Sequence, residues 1–397
     1  MKEWDVSRLK KANKIVIRQG RIKTMAGEEY QGSLLIEDGK ISAIGPEISV
    51  PGDAEVLEAQ GCLVLPGFID AHCHVGLEEE IFRNEGDDVN EMTDPVTPEM
   101  RALDGIHPED EGLRDARLGG ITAVFTGPGS GNVIGGTGVV LKTCGKVVDK
   151  MVVREPAGLK VALGENPKAV YGEQKKMPMT RMGTAALLRQ ALVDANTYRE
   201  KMEQGLDDQD KLPERDLGLE ALVRVLEKEI PLRAHAHRTD DIMTAIRIAR
   251  EFEVDLVIEH CTEGHKIAEE LAAAGYPAVI GPSFTNRAKV ELKDKTFKTP
   301  GILVEHGVKV AIMTDHPVIP LEQLPLCAAL AAKAGMPEEE ALKAITISAA
   351  EILGVSDRIG SLAIGKDADL VVWSEHPFIL TARPLAVFID GKIVSPE

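Results

Sequence analysis

The chain has 397 residues, 44% hydrophobic and 28% charged, ordinary values for a globular protein. Aromatics make up only 4%, so the core must come from Val, Ile, Leu, Ala and Met, and a disordered, collagenous or coiled-coil chain is excluded. Lys plus Arg number 46 against 64 Asp plus Glu, a net charge of −18, which repels phosphate backbones and anionic membranes. At roughly 150 residues per domain, the length fits two or three domains, or one large barrel with an appendage. The cysteines Cys62, Cys73, Cys144, Cys261 and Cys327 are odd in number and form no C-x-x-C, so reduced thiols are expected. The start, MKEWDVSRLKK, is charged and carries no apolar stretch. The longest charge-free run, Leu118 to Leu141, is rich in glycine and reads as loop, not as a membrane span. The expectation is a cytoplasmic protein with a small-molecule substrate and neither a nucleic-acid nor a membrane partner; a homo-oligomer is compatible.

Residues 13 to 65 read as short strands: KIVIRQG, GSLLIEDGK, ISAIG and AEVLEAQGCLVLPG. Asp38-Gly39 is a hairpin turn signal. The tail has the same texture, DADLVVWS followed by AVFIDGKIV, with a second Asp-Gly pair at Asp390-Gly391. Both ends are therefore expected to pair into one small β domain. Between them, apolar runs alternate with amphipathic segments. The runs are GFIDAHCH (67–74), ITAVFTG (121–127), LKVALGE (159–165), PLRAHAH (231–237), VDLVIEH (254–260), PAVIG (277–281) and VKVAIMTD (308–315). Among the segments are 184–203 and 240–253. This alternation predicts a parallel sheet covered by helices, either open or closed into a barrel. Seven strands are clear, and an eighth must come from the stretch between Thr137 and Val153.

Strand ends carry the chemistry. His72 and His74 are i and i+2 on one strand, so two imidazoles share a face, as a metal site needs. Other strands end at Glu165, at His235-Ala236-His237, at His260 and at Asp315. In a parallel barrel all these ends lie on one face, where active sites sit. Singly, each has a plain structural role: Glu165 and Asp315 can cap helices, and a lone histidine is usually a satisfied polar group. Five such coincidences at successive strand ends favour a shared site.

VLPGFIDAHCHVG resembles the P-G-x-I-D-x-H-x-H signature of the amidohydrolase superfamily of metal-dependent hydrolases, and IGSLAIGKDADLVVW followed by VFIDGKIV resembles that family's return to its small β domain. The resemblance spans about residues 13 to 394. It is greatest to the group related to imidazolonepropionase and to amidohydrolases acting on N-acyl or cyclic amide bonds. It implies a (β/α)8 TIM-like barrel over 66–355 and a small β-sandwich built from 1–65 and 356–397. It also implies one or two divalent metal ions, usually zinc. Carried over, His72 and His74 match the first-strand ligands, His235 and His260 the fifth- and sixth-strand ligands, and Asp315 the last-strand aspartate. Many members bridge two metals with a carbamylated lysine. No clear lysine ends a mid-barrel strand here; Glu165 takes the place of that ligand, with Lys168 as its rival.

The implied reaction is hydrolysis of an amide or cyclic amide C–N bond by attack of a metal-bound hydroxide, zinc lowering the pKa of its water to roughly 7. Asp315 is the general base and acid, and His237 a further ligand or an oxyanion donor. Deamination ranks lower, because the residues after His235 are Ala, His, Arg and Thr, with Asp240 five away. A non-enzymatic scaffold ranks lower still, because the ligands are kept. The glycines of 127–138 lack G-K-[ST] and read as a close-packed rim loop. Arg154, Lys168, Arg238 and Arg287 are candidates to meet a substrate carboxylate. Specificity is expected in loops 78–112, 127–137 and 282–298.

Overall fold

The computed structural model describes residues 9–10, 12–80 and 84–394. Residues 1–8 and 11, residues 81–83 of the expected specificity loop and residues 395–397 lie outside the described residues.

The chain opens with β1 (Lys14–Ile22), β2 (Tyr30–Glu37), β3 (Lys40–Gly45), β4 (Glu55–Glu58) and β5 (Leu63–Pro66). The barrel strands follow: β6 (Phe68–Cys73), β7 (Ile121–Thr126), β8 (Ile134–Lys142), β9 (Val152–Ala162), β10 (Leu232–Ala236), β11 (Leu256–His260), β12 (Ala278–Ile280) and β13 (Val310–Ile312). The chain closes with β14 (Leu370–Trp373), β15 (Pro384–Ile389) and β16 (Lys392–Ile393).

The two ends share one sheet, ordered β16-β15-β14-β5-β1-β2-β3, with β4 also on β1. The joint is antiparallel pairing of β14 with β5, from Leu370 opposite Pro66 to Trp373 opposite Leu63. Both Asp-Gly pairs make the expected turns. Asp38 and Gly39 have φ of 50° and 79°, Asp390 and Gly391 48° and 71°, the left-handed pair of a two-residue hairpin. The two turns lie against each other: a Cβ on Gly391 would come within 2.9 Å of the Gly39 Cα.

The second sheet runs β6 to β13 in chain order and nearly closes. Its seam joins β6 to the residues after β13: Asp315 N donates to His72 O (3.3 Å) and His74 N to His316 O (2.9 Å). Side-chain alternation separates inside from outside. On β9 to β11, Leu159, Val161, Leu232, Ala234 and Ile258 pack with outer helices such as Arg181–Asp207 and Thr239–Glu251. The intervening Lys160, Arg233 and Glu259 meet one another instead.

Strand direction departs from an all-parallel barrel. β8 is antiparallel to both β7 and β9. The reason is local: no α-helix lies between Thr126 and Val152, so the chain returns in reverse rather than crossing over. The eighth strand thus starts at Ile134, inside the stretch expected to be a rim loop. Its glycines permit close packing. A Cβ on Gly136 (φ 115°) would meet Met100 O at 2.4 Å, and one on Gly138 the Phe125 ring at 2.3 Å.

Lys142, at the end of β8, is 3% exposed and tied to Asp367 (3.1 Å), Asp369 and Asp390 (3.2 Å). This cluster fastens the barrel to the C-terminal strands. Deleting residues 360–397 would remove β14, one of the two strands paired with β5, and leave Lys142 buried without a counter-charge, at a cost of roughly 3–5 kcal/mol for the charge alone. The expected outcome is an insoluble or strongly destabilised protein in thermal denaturation; an unchanged melting temperature would contradict the shared-sheet account.

Candidate metal centre

At the C-terminal ends of the parallel strands lie two groups of potential ligands. In the first, His72, His74 and Asp315 bring ligand atoms within 4.8 Å of one another; in the second, His235, His237 and His260 do the same. Six of the seven proposed site residues thus meet at one barrel mouth. The first group is made by the seam. His72 Nε2 is 3.1 Å and His74 Nε2 3.4 Å from Asp315 Oδ1. In the second, the ring centroids of His235 and His260 are 4.2 Å apart, and His237 is 4.6 Å from each.

Backbone geometry aims these groups. His260 has the parity of the outward-facing Leu256 and Ile258, but its φ of 67° turns the chain. Its Nδ1 then donates to Gly281 O (2.9 Å). Asp315 also sits in the left-handed region, at φ 58°. Such strain in non-glycine residues collects at functional sites. Outer partners fix the other rings: His74 Nδ1 donates to Gly127 O (2.8 Å), and His237 Nδ1 pairs with Thr262 Oγ1 (2.7 Å). A carbonyl can only accept, so His74 and His260 each keep a bare Nε2 when neutral.

The electrostatics suit a metal. Burial, reinforced by neighbouring imidazoles, holds His235, His237 and His260 well below the ordinary histidine value, so they are neutral donors. Burial favours a protonated Asp315, but His260, His72 and His74 outweigh it and keep the carboxyl well below its usual range. Both ring nitrogens of His235 are buried without a hydrogen-bond partner, as is Glu291 Oε1. Orphaned donor atoms in a three-imidazole cluster are what a divalent ion would satisfy, and the residues fit such an ion.

Glu165 is in neither group. It starts the helix Glu165–Glu173, and its amide N–H donates to Glu291 Oε2 (3.0 Å). Three of the proposed substrate-carboxylate partners are engaged elsewhere. Arg154 donates to Leu353 O and Glu229 O, Arg238 to Asp240, and Arg287 to Lys293 O and Lys295 O. Asp240, the acidic residue five beyond His235, is thus tied to Arg238.

Two features were not read from the sequence. One is Glu291, 2% exposed, whose Oε1 lies 3.6 Å from His237 Nε2 and 4.0 Å from His235 Nε2. It sits in a single 3-10 turn, Val290–Leu292, too short to leave a periodic signal in the sequence. The other is a charged floor beneath the site. Glu259 receives Arg233 Nε (2.8 Å) and the Lys160 ammonium, and lies 2.9 Å from His72 Nδ1. Arg233 also donates to Ala71 O (2.6 Å) and covers the Phe125 ring at 3.8 Å. Lys160 did leave a trace, as a lysine between Leu159 and Val161 in a buried strand.

Residues 202–394 match the Amidohydrolase family. The structure superimposes on the crystal structure of an amidohydrolase from Thermotoga maritima MSB8 with a TM-score of 0.94 and 47% sequence identity, covering 96% of this chain and 100% of that one. The chain is 29% identical to imidazolonepropionase of Paracoccus denitrificans (strain Pd 1222), over 92% of this chain and 94% of that protein. It is 30% identical to amidohydrolase tasK of Hapsidospora irregularis, over 91% of this chain but only 40% of that longer protein. Among the described residues no helix is long and apolar enough to cross a membrane. The chain belongs to the amidohydrolase superfamily of metal-dependent hydrolases, in the group related to imidazolonepropionase.

Proposed function

We propose that this protein hydrolyses an amide or cyclic amide C–N bond of a small molecule, with His72, His74, Asp315, His235, His237 and His260 holding divalent metal, zinc being the natural ion for such a nitrogen-rich set. The observation that carries the reading is the convergence of two ligand groups, five imidazoles and one carboxylate, on one buried mouth. A bound divalent ion supplies a water of pKa near ~7 and polarises a carbonyl.

The chain's own groups do the rest. Asp315, ionised at neutral pH, accepts the proton of the attacking water and returns it to the leaving nitrogen. A C–O bond forms, the C–N bond breaks, and the products are a carboxylic acid and an amine, joined in one molecule if the amide is cyclic. His237 keeps Nε2 directed at the site while Thr262 fixes its other nitrogen, which suits it to ligate or to face the oxyanion. The same reading treats 1–65 with 356–397 as one folding unit and 66–355 as the catalytic one.

Lys160 replaces Glu165 and Lys168 as the residue to bridge. Its ammonium donates to Glu259, whose other oxygen lies 2.9 Å from His72 Nδ1, so it sits one carboxylate away from the first ligand group. Arg233 and Lys160 place two cations against one carboxylate, leaving buried positive charge uncompensated. Reaction of the neutral amine with carbon dioxide gives a carbamate and a proton, and reverses that sign.

Two experiments test this. A His72→Ala, His74→Ala double variant is expected to stay folded, lose at least one metal equivalent by elemental analysis, and lose nearly all hydrolysis of responsive N-acyl amino acids, dipeptides or cyclic amides. Unchanged metal content would remove these residues from the site. For Lys160, bicarbonate is expected to stimulate metal reconstitution of the stripped wild type and not of Lys160→Met. Equal bicarbonate responses in the two proteins would exclude the bridge.

A further inference from the structure

We infer that Glu291 is a further protein ligand of the metal held by His235, His237 and His260, supplied by the segment between β12 and β13. This rests on the metal-dependent reading above and adds a residue to it.

Glu291 is almost wholly buried, and its two oxygens have different environments. Oε2 is fixed by the Glu165 amide N–H at 3.0 Å. Oε1 has no hydrogen-bond partner. It points at the imidazole group, 3.6 Å from His237 Nε2 and 4.0 Å from His235 Nε2. Two ligands each ~2.0–2.1 Å from a tetrahedral zinc stand roughly 3.3–3.5 Å apart, so the His237 separation is close to that of neighbouring ligands, and the His235 separation has about half an ångström or more to close. A buried carboxylate oxygen and a buried imidazole with no partner are both costly. One cation between them satisfies both.

The turn after β9 is shaped around this carboxylate. Gly164 has φ 90°, and a Cβ there would meet Glu291 Oε2 at 2.9 Å. Glycine thus allows the Glu165 amide to reach the carboxylate. The competing role is an ion pair with Lys289, whose Nζ is 3.7 Å from Oε1. That distance is beyond a hydrogen bond, and Lys289 donates instead to Asn166 Oδ1 at 2.6 Å.

The two roles separate without an activity assay. Metal-stripped wild type, Glu291→Gln, Gly164→Ala and Lys289→Met are titrated with zinc, and bound metal and melting temperature are followed. Wild type is expected to fill two classes of site. Glu291→Gln should keep the class held by His72, His74 and Asp315 and bind the other roughly 10–100-fold more weakly. Gly164→Ala should weaken the same class with the carboxylate still present. Lys289→Met, which removes a repelling cation, should leave that class as tight as in wild type or tighter. If Glu291→Gln binds both metals as wild type does, or if Lys289→Met and Glu291→Gln lower the melting temperature alike with metal binding intact, Glu291 is an ion-pair partner and the proposal falls while the metal-dependent reading stands. A wild type that takes up no metal overturns both.

Discussion

The seam that closes the barrel is the constraint on which the rest of the molecule depends. Asp70 is fully buried and accepts three hydrogen bonds: from His72 N (3.0 Å), Thr314 N (2.9 Å) and Thr314 Oγ1 (2.6 Å). Burial pushes its carboxyl up to about 6, and the three donors offset part of that penalty. The same few residues exchange backbone hydrogen bonds across the seam. Residues from opposite ends of the barrel sequence thereby become neighbours, and His72, His74 and Asp315 form one group. A barrel that failed to close here would still have its histidines, but not the carboxylate beside them.

Above that seam the site is assembled from groups that are poor choices for stability. Three imidazoles crowd together with almost no exposed surface, and burial keeps them neutral. Below them, Arg233, Lys160 and Glu259 occupy an interior layer that aliphatic side chains could fill more stably. Burial opposes ionisation of Glu259, but His72, Lys160 and Arg233 together hold its carboxyl well below the usual range. It can then anchor His72 from beneath. Polar groups placed at such cost gather at the end of the barrel where loops are free to vary.

Much of this is legible in the sequence because it follows from short-range periodicity. The spacing of His72 and His74 needs only the two-residue repeat of a strand, and the Asp-Gly turns only local φ preferences. The antiparallel β8 was not legible, because its glycines read as loop and direction depends on the lack of a crossover helix. His260 was proposed as a ligand from its place at a strand end, yet alternation would turn it outward; only its positive φ brings it in. Lys160 was visible but passed over, because it lies within an apolar run and not at a strand end. Glu165 starts a helix outside both ligand groups, and it is its amide N–H, donated to Glu291, that the sequence did not suggest. Glu291 lies in a 3-10 turn of three residues, too short to show periodicity, and only the folded chain shows where it points.

The central claim is that hydrolysis of a C–N bond here depends on metal held at the barrel mouth. The most direct measurement strips the purified protein with a chelator, removes the chelator, and follows hydrolysis of a responsive N-acyl or cyclic amide as zinc is restored. The account predicts that activity vanishes with the metal and returns in proportion to metal bound. Hydrolysis that persists at full rate in protein shown by elemental analysis to be metal-free would contradict it.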